Sequence, residues 1–180
     1  MPPKSIMSAP MEIVIRPPTP NDVAALTQAV HESVRDVSRW MAWCHPAYAE
    51  ADAESWIRST MQGHAEHSAF EFVIVDDGGS LIGCCGINHV NQVDRFANLG
   101  YWIRSSRTGL GIATRAVQVL AEWTFANTAL NRLEIVVAVG NLRSQRVAEK
   151  CGAIREAILR QRLMVGGQPV DAIMHALVRE

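Results

Sequence analysis

Apolar and polar side chains alternate over residues 12–16 as in a short half-buried strand, which Pro17, Pro18 and Pro20 break. Asn21 or Asp22 can then cap a helix through about residue 32, followed by an irregular stretch carrying Trp40, Met41, Trp43 and Pro46. Asp52 precedes a second helical period over residues 53–65, where Trp56, Ile57, Thr60 and Met61 share one face. Residues 70–76 and 81–90 read as strands joined across Asp77-Gly78-Gly79, and residues 96–104 as a third after a polar turn at 91–94. These three form an antiparallel meander.

The third strand runs into a turn punctuated by Gly109 and Gly111, after which Ile112, Ala113, Ala116, Val117, Leu120, Ala121, Trp123 and Phe125 mark the buried stripe of a helix ending near Asn127. Residues 132–139 read as a fully buried strand. Strand, helix and strand in that order predict a right-handed crossover and a parallel pair, with any ligand at the carboxyl end of the first strand. A short helix over 141–151, stopped by Gly152, precedes a hairpin of residues 154–163 and 170–178 across Gly166-Gly167.

The glycine turn is a candidate anion site. Glycines let the backbone approach an anion closely, and the first N–H groups of the following helix have no partner within it. Neither a Gly-x-x-x-x-Gly-Lys-[Ser/Thr] run nor a complete Gly-x-Gly-x-x-Gly is present, which excludes the P-loop and the dinucleotide fingerprint. A plain strand-to-helix connection accounts for the two glycines equally well.

Length and composition narrow the classes. With 180 residues and 48% hydrophobic content, one domain over residues 11–180 is expected, with residues 1–10 as a disordered extension. A formal charge of -1 and a pI near 6.6 give no global signature of nucleic-acid or anionic-membrane binding. No segment reaches membrane-spanning length and no signal-peptide pattern is evident, so a cytoplasmic location is expected. Cys44, Cys84, Cys85 and Cys151 form no Cys-x-x-Cys pair, and His64 and His67 lack partners to complete a metal site. Buried reduced thiols and no metal are the expectation.

Four motifs in order resemble the GNAT superfamily of N-acetyltransferases, in particular its RimJ/RimL-type branch of ribosomal-protein N-terminal acetyltransferases. They are Gly100-Tyr101-Trp102-Ile103; Arg107-Thr108-Gly109-Leu110-Gly111-Ile112-Ala113; Leu130-Asn131-Arg132-Leu133-Glu134-Ile135; and the run from Asn141 to Gly152. The resemblance implies an α/β (α+β) GNAT fold. Its mixed, mostly antiparallel twisted sheet would have about seven strands, a parallel central pair splayed at Trp102 and Val139, and helices on both faces. It also implies acetyl-CoA as co-substrate, with the pyrophosphate on the amides of Arg107, Thr108, Gly109, Leu110, Gly111, Ile112 and Ala113. The pantetheine arm would pair with backbone of Trp102, Ile103 and Arg104. Asn141 would contact that arm, and Arg146 or Lys150 could meet a phosphate or simply form a solvated helix face.

For the transfer itself, a backbone N–H near Ile103 is the expected oxyanion donor. Ser144 could hydrogen-bond the departing thiolate, since Ala148 stands where many members of the superfamily carry a tyrosine. The general base is less evident, because Asn98 occupies the position where related sequences often place a glutamate, and an amide cannot take a proton at neutral pH. Glu134, His89, Glu32 and Asp36 are alternatives, with a structural salt bridge the competing role for Glu134. An acceptor α-amine, with a pKa near 7.7 to 8.0, is neutral on the order of a tenth at pH 7 and needs little help, unlike lysine near 10.4. Trp40 and Trp43 could wall an acceptor pocket or pack a cluster beneath the loop, and His89 and Asn98 could line the same cleft. The leading expectation is acetylation of a protein N-terminal α-amine. Acetylation of an antibiotic, polyamine or amino acid, and a non-catalytic CoA-binding module, stand as alternatives; a homodimer is expected by resemblance alone.

Overall fold

The computed structural model describes residues 12–180. The expected N-terminal extension, residues 1–10, lies outside them. One mixed sheet of seven strands organises the chain: β1 (Ile13–Arg16), β2 (Phe70–Asp76), β3 (Leu81–Asn91), β4 (Phe96–Ile103), β5 (Arg132–Ala138), β6 (Ile154–Val165) and β7 (Gln168–Val178). Their spatial order is β1-β2-β3-β4-β5-β7-β6. All neighbours are antiparallel except β4 and β5, which run parallel as the crossover rule requires.

Helices cover both faces. On one, α1 (Val23–Val37) and α2 (Glu50–Glu66) bury Leu26, Ala29, Val30, Ala53 and Ile57 against Val73, Cys84 and Trp102. On the other, α3 (Ile112–Asn127) and α4 (Leu142–Lys150) bury Ile112, Val117, Leu120 and Ala148 against Ile74, Leu99, Leu133 and Ile135. Alternation along each strand assigns its side chains: Leu99, Tyr101 and Ile103 face α3 and α4, whereas Asn98, Gly100 and Trp102 face α1 and α2.

Several boundaries differ from expectation for local reasons. α1 starts after a 3-10 turn at Pro20–Asp22 and continues to Val37, because Val30, Val34 and Val37 prolong its apolar face. Asp22 stands at the N-cap of α1 as expected, but its side chain makes no cap hydrogen bond there; its carboxylate closes the β1–α1 turn, accepting from Arg16 Nη1 and Nη2 at 2.8 and 2.7 Å and from Thr19 N at 2.7 Å. This cluster holds Asp22 at about pKa 2, chiefly through the Arg16 hydrogen bonds. α2 starts at Glu50, with Asp52 Oδ2 accepting from the N–H of Ala49 at 2.8 Å rather than standing at the cap itself. The final hairpin is longer than its hydrophobic pattern suggested, since β6 is an edge strand whose outward side chains are largely exposed.

Candidate active site

The parallel pair is short. β4 and β5 pair at Phe96–Arg132, Ala97–Leu133 and Asn98–Glu134 and then separate, four residues before the expected opening at Trp102. At the open end the sheet is divided, and the two helix-covered faces communicate through the gap.

Hydrogen-bond direction along β4 decides which groups face that gap. Arg104 N–H donates to Ile82 O on β3 at 2.9 Å. Because directions alternate in an antiparallel pair, Trp102 also turns its N–H and C=O to β3, while Tyr101 and Ile103 turn theirs to the gap. Of the backbone expected to pair with the pantetheine arm, Trp102 to Arg104, it is Ile103 whose N–H and C=O turn to the gap. Ile103 keeps the orientation an oxyanion donor needs; the backbone N–H groups of Trp102 and Arg104 are already engaged.

The glycine turn is similarly narrowed. Arg107 N–H donates to Arg104 O at 2.8 Å and Thr108 N–H to Ser105 O at 3.4 Å, so two of the amides expected to hold the pyrophosphate already have acceptors within the turn. From Gly109 to Thr114 the N–H groups have no hydrogen-bond acceptor among the described residues, and the first bond of α3 is Arg115 N–H to Gly111 O at 3.1 Å. Gly109 and Gly111 adopt φ values of 81° and 77°, and no heavy atom lies within 4 Å of where a Cβ would stand. The result is an open loop of N–H donors at the positive end of a 16-residue helix, a shape and polarity suited to a pyrophosphate. Arg107 turns its guanidinium toward Asp76, 3.3 Å away.

The segment before the loop is pinned to α1. Glu32 accepts from Arg104 Nε at 2.5 Å and from Ser106 N at 3.0 Å; the Ser105 hydroxyl donates to Asp36 Oδ2 at 2.6 Å, and the Ser105 N–H donates to Ser33 Oγ at 3.1 Å. Glu32 and Asp36, considered as proton acceptors, therefore position the turn. Glu134 is likewise paired: Arg132 Nε donates to it at 2.8 Å, and the same guanidinium holds Glu156. Of the two roles open to Glu134, the ion pair is the one its contacts show. His89 is exposed at the irregularity between Asn88 and Asn91, with φ of 50°, on β3, which β4 separates from β5 in the sheet.

α4 delivers Ser144 to the gap. Asn141 caps the helix, its Oδ1 accepting from Ser144 N at 3.2 Å. The Ser144 hydroxyl lies 2.8 Å from Tyr101 Oη, which also donates to Ser144 O at 3.0 Å. Tyr101 stands in the Gly100-Tyr101-Trp102-Ile103 motif with no role expected of its side chain; burial pushes its phenol far above the usual range, so it stays a neutral partner. Arg146 and Lys150 stand one turn apart on the exposed side of α4, in no ion pair among the described residues.

On the opposite face, the tryptophan segment reaches both sides of the gap. The Trp43 ring lies 5.6 Å from that of Trp102 on β4 and 6.2 Å from that of Tyr48, with Trp43 still 41% exposed. Trp40 packs against Gly140 beyond β5, its ring atoms 3.5 Å from where a Cβ would project. Trp102 itself is core, buried with Tyr48 and Cys44.

Comparison with known proteins places this arrangement. A family model described as an acetyltransferase (GNAT) domain matches residues 12–154. YdaF of Bacillus subtilis (strain 168), which carries the provisional name of a ribosomal N-acetyltransferase, is 31% identical over 168 residues, covering 93% of this chain and 91% of its own. The ribosomal-protein-serine acetyltransferase of Escherichia coli (strain K12) is 26% identical over 158 residues, with 88% of each chain covered. The structure of Mycobacterium smegmatis RimJ in complex with CoA-disulfide superposes with a TM-score of 0.87 at 27% identity, covering 94% of this chain and 86% of that one.

Proposed function

The chain belongs to the GNAT acetyltransferase family, and we propose that, as an N-acetyltransferase, it transfers acetyl from acetyl-CoA to the N-terminal α-amine of a protein. The observation that carries this reading is the divided sheet. N–H donors at Gly109 to Thr114 and the Tyr101–Ser144 pair lie on the α3–α4 face, the tryptophan segment lies on the other, and the two meet at the gap beyond Asn98 and Glu134. A thioester entering from one side and an amine from the other are thereby brought together, and positioning of this kind supplies much of the barrier reduction.

The pyrophosphate of acetyl-CoA rests on the amides of Gly109 to Thr114, and the pantetheine arm pairs with Tyr101 and Ile103 as an added strand would. The neutral amine attacks the thioester carbonyl, and the developing oxyanion takes the Ile103 N–H. When the C–S bond breaks, its electron pair leaves on sulfur, and the Ser144 hydroxyl, held beside Tyr101, hydrogen-bonds the thiolate as it becomes CoA-SH. As the tetrahedral intermediate collapses, the amine nitrogen loses one proton to water, and that proton, returned through water and the Ser144 hydroxyl, is the one CoA-SH gains. None of Glu32, Asp36 and Glu134 stands unpaired as a base, which favours an acceptor whose amine is substantially neutral near pH 7. An α-amine meets this condition; a lysine side chain does not.

The relatives named for ribosomal-protein acetylation support a protein N-terminus as acceptor, whereas a spermidine N(1)-acetyltransferase of Vibrio cholerae serotype O1 (strain ATCC 39315 / El Tor Inaba N16961), 26% identical over 100 residues, sets the small-amine comparison. The test is CoA release with acetyl-CoA across N-terminal peptides, polyamines and aminoglycosides. Turnover on peptides is expected, lost when their α-amine is blocked. Turnover confined to polyamines or aminoglycosides would replace the acceptor, and CoA binding with no turnover on any acceptor would overturn the reading.

A further inference from the structure

Three polar side chains cross the α1–α2 face of the sheet in a line. Asn88 Nδ2 on β3 donates to Glu71 Oε1 on β2 at 2.8 Å, and Asn98 Nδ2 on β4 donates to Asn88 Oδ1 at 2.9 Å. Gly86 makes room for this line: a Cβ there would stand 1.7 Å from Glu71 Oε2. Asn98 ends the line at the last paired residue before the gap, with open sheet surface at Gly100 beside it. Its Oδ1 has no donor among the described residues.

The direction of every bond in the line follows from one group. An ionised carboxylate only accepts, so Asn88 must turn its NH₂ to Glu71 and its oxygen to Asn98. Asn98 must then give its NH₂ to Asn88, which leaves its oxygen facing the gap. We propose that Glu71 is a positioning residue for the acceptor: through Asn88 it fixes Asn98 Oδ1 as a hydrogen-bond acceptor for the N–H of the incoming primary amine. This rests on the proposed acceptor site. It gives Asn98 a recognition role suited to an amide, with deprotonation left to water.

Protonation of Glu71 removes the constraint, because a carboxylic acid can donate as well as accept and the amide line is then free to reverse. Burial raises Glu71 above the usual carboxylate range, while the Asn88 hydrogen bond and the charge of His89 on β3 oppose the rise. The other titratable groups around it are His64 on α2, whose Nε2 contacts Glu71 O at 2.9 Å, Glu66 across the α2–β2 hollow, and the Cys84 and Cys85 thiols, which burial keeps neutral. That hollow, about 370 Å³, gives Glu71 a route to solvent protons.

The experiment compares wild type with Glu71→Gln, whose side chain has the same shape but enforces neither direction. With an N-terminal peptide as acceptor, Glu71→Gln should lower kcat/KM for the peptide about threefold at pH 8 and leave the KM for acetyl-CoA unchanged. Ionisation of the peptide amine cancels in the wild-type to variant ratio, so that ratio should fall to about one as pH drops through the Glu71 titration. In an Asn98→Ala background, Glu71→Gln should have no further effect. A ratio independent of pH, or effects of Glu71→Gln and Asn98→Ala that simply add, would overturn the proposal. Side-chain amide NMR decides the line without turnover: the Asn88 and Asn98 NH₂ signals should titrate together in wild type and not in Glu71→Gln, and a silent Asn98 would overturn it. Absence of peptide acetylation by the wild type would instead remove the acceptor reading, with the amide titration still deciding the role of Glu71.

Discussion

Ser144 and Tyr101 illustrate how much a single hydroxyl depends on its setting. Serine alone is a poor acid, but here its backbone N–H is held by the α4 cap and its hydroxyl by a neutral phenol 2.8 Å away. In the proposed mechanism Ser144→Ala lowers kcat by on the order of a hundredfold, the scale of one general acid, with little change in the KM for acetyl-CoA. Tyr101→Phe keeps the serine and loses only its orientation, so steady-state kinetics should show a smaller fall, about tenfold. Asp22 makes a prediction about stability instead. Its folded pKa of about 2 lies below its ordinary value, so its contribution is complete above that value and fades as pH falls toward 2. Urea unfolding should find Asp22→Asn less stable by about 1.5–3 kcal/mol at pH 7, the range for charge-assisted hydrogen bonds, with the difference shrinking at pH 2.5.

At the scale of elements, α3 and α4 each present a terminus to the gap, by different means. α3 begins after two glycines with positive φ and leaves its amides free; α4 is closed by Asn141. Gly111→Val forces a β-branched residue to φ near 77°, and isothermal titration should show markedly weaker acetyl-CoA binding. Asn141→Ala should cost about 1 kcal/mol in thermal unfolding, through loss of the cap. These termini were legible in the sequence because glycine turns, caps and helical periods are local signals. The elements and the parallel crossover followed for the same reason. Register did not: that β4 leaves β5 after Asn98, and that Trp102 and Arg104 bond to β3, depends on pairings between residues far apart in the chain. Glu71 was missed on similar grounds, being 17 residues from Asn88 and joined to Asn98 only through it. The tryptophans were visible as a cluster, but only packing shows Trp43 against Trp102 and Trp40 against Gly140.

Across the whole molecule, the sheet both separates two helical layers and, where β4 and β5 part, joins them. Its core is continuous from β1 to β5 on the α3–α4 face, so the gap is held open by a packed frame, with Tyr101 reaching across to α4. The central claim is that acetyl-CoA enters this gap from the α3 side and bonds the backbone of β4 there. Amide-resolved hydrogen exchange with and without CoA tests it most directly. The account predicts slowed exchange at Tyr101, Ile103 and Gly109 to Thr114 on adding CoA, with none at Arg104, whose N–H is already bonded to Ile82. Unchanged exchange at Tyr101, Ile103 and the glycine loop, with CoA protection elsewhere, would contradict it.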